Sequence, residues 1–322
     1  MSLTIELSAP GGIENLSATR RDPGEPGPGE IRLRQLGAGV NFIDIYQRTG
    51  LYPLPMPAIL GVEGAGVIEA LGPDVEGLAV GERVAYAGIP GGYAEVRLLP
   101  AWRAIPLPDA LPTEIAASSL LRAFTAHMLL QRVYPVKHGT TILVHAGAGG
   151  LASLVIPWAR QLGARVISTA SSEEKADLSR RYGAERVIVG RNADIAQTVR
   201  DWTDGKGAEF TIDGIGGPTL EASLNATAKF GMIASVGQAG GPAGPITLDS
   251  LGPLRSLALA RPSVMAYLAD PATYKAAAPD VLRALQRPSA VAPGPRFPLT
   301  EAAAAQHALE TGATSGVPLL VI

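Results

Sequence analysis

Thr141-Ile142-Leu143-Val144-His145-Ala146-Gly147-Ala148-Gly149-Gly150-Leu151-Ala152 is the stretch whose reading decides the fold. It opens on a short apolar run, the kind of strand that is buried on both faces of a parallel sheet. A glycine-rich turn follows, then a helical stretch from Leu151 to Leu162 that Gly163 closes. Gly147, Gly149 and Ala152 fit a dinucleotide-binding fingerprint with a small third residue. The first glycine permits the tight turn, the second lets pyrophosphate approach the backbone, and the small third residue lets helix pack on strand. Gly150 and Leu151 lead into the helix, whose first N–H groups and positive dipole end suit phosphate. Glycine spacing alone is a weak signal, and the strand before it and the helix after it give it weight. The competing reading is a structural turn that binds nothing.

Outward from this turn the chain alternates. Arg165–Thr169 reads as a strand, Glu173–Tyr182 as a helix stopped by Gly183, and Val187–Val189 as a strand. A helix around Asp194–Trp202, the strand Phe210–Ile212, a helix over Leu220–Phe230 and the strand Met232–Val236 continue the series. Strand–helix alternation with short connections predicts an α/β, doubly wound parallel sheet, the Rossmann arrangement. Pro157 lies inside the first helix and is expected to kink it. Residues 1 to about 120 differ in texture, with short strands between Gly/Pro turns. Glu30–Leu36 alternates, Val62–Leu71 carries three glycines and reads as an irregular strand pair, and Gly81–Tyr86 is a further strand. Pro53, Pro55 and Pro57 mark a surface loop. After about residue 260, helices near Thr273–Gln286 and Glu301–Glu310 precede a final strand, Leu319–Ile322. The expected division is a mostly β domain over 1–124, completed by 265–322, around a Rossmann domain over 125–264.

The end of the second Rossmann strand bears on the cofactor. NAD enzymes usually carry an acid there to accept from the ribose 2′-hydroxyl. This chain has Thr169-Ala170-Ser171-Ser172, with Lys175 one helical turn further and Arg191 after the third strand. Hydroxyls and cations suit a 2′-phosphate, so the sequence favours NADPH. The bland alternative is that Lys175 and Arg191 are solvated surface charges.

Composition excludes several other classes. The chain has 322 residues, 47% hydrophobic and 17% charged, which fits a folded globular protein rather than a disordered one. A net charge of -2 gives no electrostatic reason to expect nucleic acid or an anionic membrane as partner. There is no cysteine, which removes disulfides and thiolate metal sites. The first residues lack a basic segment followed by an apolar one, and no apolar run reaches membrane-spanning length, so a cytoplasmic address is the default expectation.

The order of motifs resembles the medium-chain dehydrogenase/reductase family, in its zinc-independent quinone oxidoreductase (zeta-crystallin-like) branch. The residues that carry the resemblance are Gly39-Val40-Asn41-Phe42-Ile43-Asp44-Ile45-Tyr46-Gln47-Arg48-Thr49-Gly50-Leu51-Tyr52-Pro53, Leu60-Gly61-Val62-Glu63-Gly64-Ala65-Gly66, the glycine turn and Arg261-Pro262-Ser263. The resemblance implies a GroES-like catalytic domain beside the Rossmann domain, with the nicotinamide in a cleft between them. It implies that Asn41, Tyr46 and Tyr52 line the substrate end and that Thr125 sits by the nicotinamide ribose. It also implies that Ser171 and Lys175 hold the 2′-phosphate while Gln238 and Arg261 close over the cofactor. Bacterial members often carry a tyrosine where this chain has Gly190. Zinc-dependent relatives place a cysteine and a histidine where Asn41 and Val62 stand here, so no metal is expected.

Without a metal, an acceptor that stabilises added charge itself is favoured, since alcohol oxidation needs a Lewis acid or strong base. The leading expectation is NADPH-dependent reduction of a small-molecule quinone or other electrophilic acceptor. Hydrogen bonds from Asn41, Tyr46 or Tyr52 would assist the developing oxyanion. Reduction of enones or 2-alkenals is the alternative, and a non-catalytic, crystallin-like NADPH-binding protein is the reading from another class. The family resemblance further implies a homodimer, and Met232–Val236, read as the last strand of the sheet, would offer the pairing edge.

Overall fold

Ser2–Leu7 (β1) pairs antiparallel with Leu16–Arg21 (β2), and after a turn Glu30–Gly39 (β3) opens the main β-sheet. In β3 the buried face runs Ile31, Leu33, Gln35. The polar residue is tolerated there because every end of its amide is used. Its Nε2 donates to the Gly92 and Ala94 carbonyls at 2.9 and 2.6 Å, and its Oε1 accepts from the Tyr86 hydroxyl at 2.6 Å. A short helix, Phe42–Arg48 (α1), precedes Ala58–Ile59 (β4), with the proline loop between them. Glu63–Leu71 (β5) is one nine-residue strand rather than the irregular pair expected. Its glycines serve close approach, since a Cβ on Gly66 would lie 2.0 Å from the Arg34 carbonyl oxygen. Register shifts against β3 absorb the irregularity. Arg83–Ala87 (β6), Val96–Pro100 (β7) and Ile105–Pro106 (β8) complete this part, followed by the helix Thr113–His127 (α2).

The next elements alternate: Thr141–Val144 (β9), Ala152–Gln161 (α3), Arg165–Ala170 (β10), Glu173–Tyr182 (α4), Arg186–Val189 (β11), Ile195–Asp201 (α5), Ala208–Asp213 (β12), Thr219–Ala226 (α6), Thr227–Ser235 (β13), the single turn Leu248–Leu251 (α7) and Ala258–Ala260 (β14). All pair in parallel, in the order β11-β10-β9-β12-β13-β14. That order reverses direction at β9, which makes its carboxyl end, beside that of β12, the switch point where ligands of doubly wound sheets bind. Local chemistry fixes the helix ends. The Ser172 hydroxyl accepts from the Lys175 N–H, Gly183 closes α4 at φ 108°, and Asp194 caps α5.

Two sequence expectations are corrected here. The helix expected over Leu220–Phe230 stops at Ala226, because Thr227 pairs with Ala208 and starts β13. Phe230, at φ 62° and 84% exposed, lies in that strand where its register against β12 shifts between Thr227 and Met232. Met232–Val236 is not the sheet edge, since β14 pairs with β13 through Met232↔Ala258.

The chain then runs through Val264–Tyr267 (α8), Pro271–Leu285 (α9), Pro293–Pro298 (β15), Ala302–Glu310 (α10) and Val317–Val321 (β16). The computed structural model describes residues 1–287, 293–314 and 316–322. It divides into two compact units. One holds Met1–Phe124, Val264–Arg287 and the C-terminal segment to Ile322, and the other is built on Thr125–Ser263. In the first unit β16 pairs antiparallel with β3, and Leu299, Ala302, Ala305 and Leu320 share a core with Ile5, Leu7, Val40 and Tyr93. Helix α9 is tied to the same unit by Tyr274. Its ring stacks on Phe124 at 4.9 Å, and its buried hydroxyl donates to the Arg103 carbonyl at 3.0 Å and accepts from the Ala87 N–H at 3.1 Å. Tyr274→Phe keeps the ring and strands both backbone groups, so urea denaturation should show a loss of about 1–3 kcal/mol.

Candidate active site

The second unit builds its ligand-binding edge from backbone. The Gly147 N–H donates to the Thr169 carbonyl at 2.8 Å and the Gly149 N–H to the Ala146 carbonyl at 2.8 Å, folding the chain sharply between β9 and α3. Ala146 takes a left-handed φ of 52° to start the turn. A Cβ on Gly147 would lie 2.4 Å from the Ser179 hydroxyl and 2.5 Å from that of Ser168, so only glycine lets the turn sit against β10 and α4. Gly150 and Leu151 continue into α3, and Ala152, its first residue, is buried. The Ser153 N–H donates to the Gly149 carbonyl at 3.0 Å and the Leu154 N–H to the Leu151 carbonyl at 3.1 Å, so the glycine turn runs directly into the positive end of α3, which favours an anion.

Sequence reasoning missed two further loops at this edge. Gly214–Gly217 follows β12 and Gly237–Gly241 follows β13, and they interlock, with the Gly240 N–H donating to the Ile215 carbonyl at 2.7 Å. A Cβ on Gly237 would lie 2.1 Å from the Gly214 carbonyl oxygen. The signal was available as two glycine clusters, each directly after a buried strand. Gln238 lies in the second of these loops, half-buried, and Arg261 is exposed directly after β14.

Ser171 lies between β10 and the Ser172 cap of α4. Because β10 and β11 are neighbours, with Ala170 paired to Val189, the strand ends bring Ser171 and Gly190-Arg191 to adjacent positions. Ser171, Lys175 and Arg191 are all exposed. Of the acids at this corner, Glu173 is turned toward Arg180 at 3.5 Å. Thr125 is half-buried in α2.

In the first unit, Asn41 caps α1 and is buried. Its Nδ2 donates to Glu63 Oε1 at 2.7 Å, while Glu63 Oε2 accepts from the Leu121 N–H at 2.7 Å. Burial raises the Glu63 pKa, and the Arg122 guanidinium opposes that rise. Burial also pushes Arg122 down to about 10. On the other side of Asn41, Asp44 Oδ2 accepts from the Asn41 backbone N–H at 2.8 Å and from the Tyr93 hydroxyl at 3.0 Å. The network continues through Gln306, whose Oε1 accepts from Arg48 Nε at 2.8 Å. Sequence reasoning singled out Asn41 but neither carboxyl. Tyr46 and Tyr52 meet edge-on at 5.4 Å, and Phe42 lies 6.2 Å from Tyr46. Tyr52 is 39% exposed. Asn41 thus lies at the start of α1, Tyr46 within it and Tyr52 just after it, with the two tyrosine rings in contact.

These residues do not suit zinc. Val62 is a fully buried apolar side chain and the Asn41 amide is committed to Glu63. Among the described residues there is no group of three or more His, Cys, Asp or Glu side chains placed to hold a metal ion.

A Rossmann unit with a glycine turn at its switch point, joined in one chain to a GroES-like β unit, defines a dinucleotide-dependent oxidoreductase. Residues 27–109 match the alcohol dehydrogenase GroES-like domain, and residues 150–282 match the zinc-binding dehydrogenase domain. The chain is 39% identical to a quinone oxidoreductase of Pseudomonas aeruginosa, covering 100% of both chains. It is 38% identical to a 2-haloacrylate reductase of Burkholderia sp, covering 100% of this chain and 99% of the relative. Among solved structures, the Escherichia coli quinone oxidoreductase complexed with NADPH superposes with a TM-score of 0.94 at 33% identity, over 99% of this chain and 100% of that one. The chain belongs to the medium-chain dehydrogenase/reductase family, in its quinone oxidoreductase branch, as the motif order implied.

The buried carboxyls make stability depend on pH. Burial raises the Asp44 pKa to about 7. The folded state therefore holds this proton more tightly than the unfolded chain, and stability falls as pH rises from about 4 through 7. Asp44→Asn removes the ionisation, so its stability relative to wild type should be greater at pH 8 than at pH 5 by about 2–3 kcal/mol. Denaturant melts at the two pH values measure this, and a difference of the opposite sign would mean that Asp44 is a stabilised carboxylate.

Proposed function

We propose that this chain is an NADPH-dependent quinone oxidoreductase that transfers hydride without a metal. The observation that carries the reading is full-length identity of 39% to a quinone oxidoreductase, in a chain whose adenosine corner offers hydroxyls and cations but no acid at the tip of β10. The turn Gly147–Ala152 would hold the pyrophosphate. Ser171, Lys175 and Arg191 would hold the 2′-phosphate, Thr125 would sit by the nicotinamide ribose, and Gln238 and Arg261 would close over the cofactor. NADPH supplies the hydride when bound. Everything else falls to this chain's own side chains. Tyr46 and Tyr52 shape the acceptor site and exclude water, and Asn41, held by Glu63, offers its second N–H to the acceptor oxygen. Tyr52, partly exposed, can pass a proton from solvent. The similarity to a 2-haloacrylate reductase favours activated C=C bonds as the second acceptor class, which the same neutral donors would serve. A cytoplasmic homodimer, assembled through the three-residue edge strand β14 and the exposed Phe230, Leu248 and Leu254, completes the proposal. Among the described residues no helix is long and apolar enough to cross a membrane.

Lys175→Ala should raise the Michaelis constant for NADPH about 10- to 100-fold, the loss of one charge-assisted contact, and leave that for NADH unchanged. An unchanged NADPH constant would make Lys175 a surface lysine.

With NADPH, a simple quinone should be reduced several orders of magnitude faster than any simple alcohol is oxidised with NADP, because neutral donors contribute only about 10²–10³-fold each. Tyr52→Phe should slow quinone turnover less than about tenfold, short of the effect of an obligatory acid. A panel that shows enones turned over and no quinone would move the assignment to the double-bond reductases.

A further inference from the structure

His145 ends β9 directly before the glycine turn, is 4% exposed, and joins a chain of hydrogen bonds across the sheet edge. Its Nε2 lies 2.9 Å from the Ser223 hydroxyl on α6 and its Nδ1 lies 3.3 Å from the Thr169 hydroxyl on β10. The Ser223 oxygen is also 3.0 Å from Asp213 Oδ2 and 2.9 Å from the Thr219 carbonyl oxygen. Both of those are acceptors, and a serine has one proton to give. That proton goes to one of them, so the contact with His145 is satisfied only if Nε2–H is the donor. Burial lowers the histidine pKa and keeps the ring neutral, which leaves Nδ1 as an acceptor for the Thr169 hydroxyl. The Thr169 oxygen then accepts from the Ala146 N–H at 3.2 Å, at the first residue of the glycine turn. At the other end, Asp213 Oδ1 accepts from the Ile215 and Gly216 N–H groups, each at 2.9 Å, which sets the loop after β12.

One chain of hydrogen-bond contacts therefore runs from Ala146 N–H through Thr169, His145 and Ser223 to Asp213, with the Ser223 proton shared between Asp213 and the Thr219 carbonyl. It connects the two loops at the switch point, where the cofactor is proposed to lie. We propose that His145 is a positioning residue for the dinucleotide, fixing the turn Ala146–Gly150 against the loop Gly214–Gly217 so that both present their backbone at one spacing. The inference rests on the NADPH-binding reading above. His145 itself touches no cofactor and acts through Thr169 on one side and Asp213 on the other.

The test titrates NADPH against wild type, His145→Phe, His145→Gln and Thr169→Val, with thermal melts and quinone turnover on each. Phenylalanine keeps a flat aromatic ring and deletes both nitrogens, and the dissociation constant should rise about tenfold or more. Its Michaelis constant for NADPH should rise by more than kcat falls. Glutamine can still donate to Ser223 and should recover most of the affinity. Thr169→Val, near in shape to the native residue, should weaken NADPH about three- to tenfold and reads the same chain if the phenylalanine variant does not fold. A merely structural role predicts a lower melting temperature with unchanged affinity in every folded variant, and that result overturns the proposal alone. Wild type that binds neither NADPH nor NADH overturns both this inference and the functional reading.

Discussion

Backbones at the carboxyl edge of the parallel sheet approach more closely than any Cβ permits. The loop after β13 passes the loop after β12 so closely that a methyl group at Gly237 would sit 2.1 Å from the Gly214 carbonyl oxygen, and one at Gly216 would sit 2.7 Å from the Gly237 carbonyl oxygen. The turn after β9 meets the same limit against Ser168 and Ser179. The sheet order dictates this crowding, because β9, β12 and β13 are successive neighbours and release their loops side by side. At these glycine positions side chains are excluded, and backbone packs on backbone instead. A crevice of N–H groups beside a helix N-terminus recognises phosphate rather than any particular base or ring, which is why the fold specifies a nucleotide cofactor before it specifies a substrate.

The β unit uses the same device for another end. A Cβ on Gly39 would lie 2.2 Å from Glu63 Oε1, so the glycine lets a carboxylate lie flat against β3, where Asn41 and the Leu121 N–H can both reach it. Placing that charge inside costs desolvation, which two hydrogen bonds and the Arg122 guanidinium offset in part. A single change such as Arg122→Met would leave Glu63 buried without its counter-charge, the kind of loss that costs about 3–5 kcal/mol.

What the chain's own order of residues revealed, and what it hid, follows from range. The Rossmann strands were legible because each is a short apolar run, and α4 was legible to the residue because Ser172 caps it and Gly183 closes it within its own segment. Helix α2 was not, because Ala116, Ala117, Leu120, Leu121, Ala123 and Phe124 are all buried and leave no wide polar face to set a period. The glycine turn declared the cofactor edge, whereas the partners of Asn41 lie 22 residues away at Glu63 and those of His145 lie 78 away at Ser223. A glutamate in a glycine-rich strand carries no local mark of the amide it holds. His145 reads from sequence as a satisfied core residue, and it is satisfied. Only the direction of its hydrogen bonds shows what it connects.

Both polar networks solve one problem in the same way. An asparagine amide and a neutral imidazole are ambiguous groups, since either end of the first and either nitrogen of the second can donate or accept. An ionised carboxylate is not ambiguous, because it only accepts. Glu63, whose charged form is disfavoured by burial and favoured by the Arg122 guanidinium, accepts from the NH₂ end of Asn41 and so fixes which way the amide faces. Asp213 and the Thr219 carbonyl, the two acceptors for the single proton of Ser223, require the Nε2–H tautomer of His145 and so fix Thr169 as donor to its other nitrogen. Replacing either carboxylate by its amide would preserve shape while setting a donating NH₂ against a group that now donates to the carboxylate. The fold thus uses two of its fully buried acids, Glu63 and Asp213, to orient neutral groups beside them.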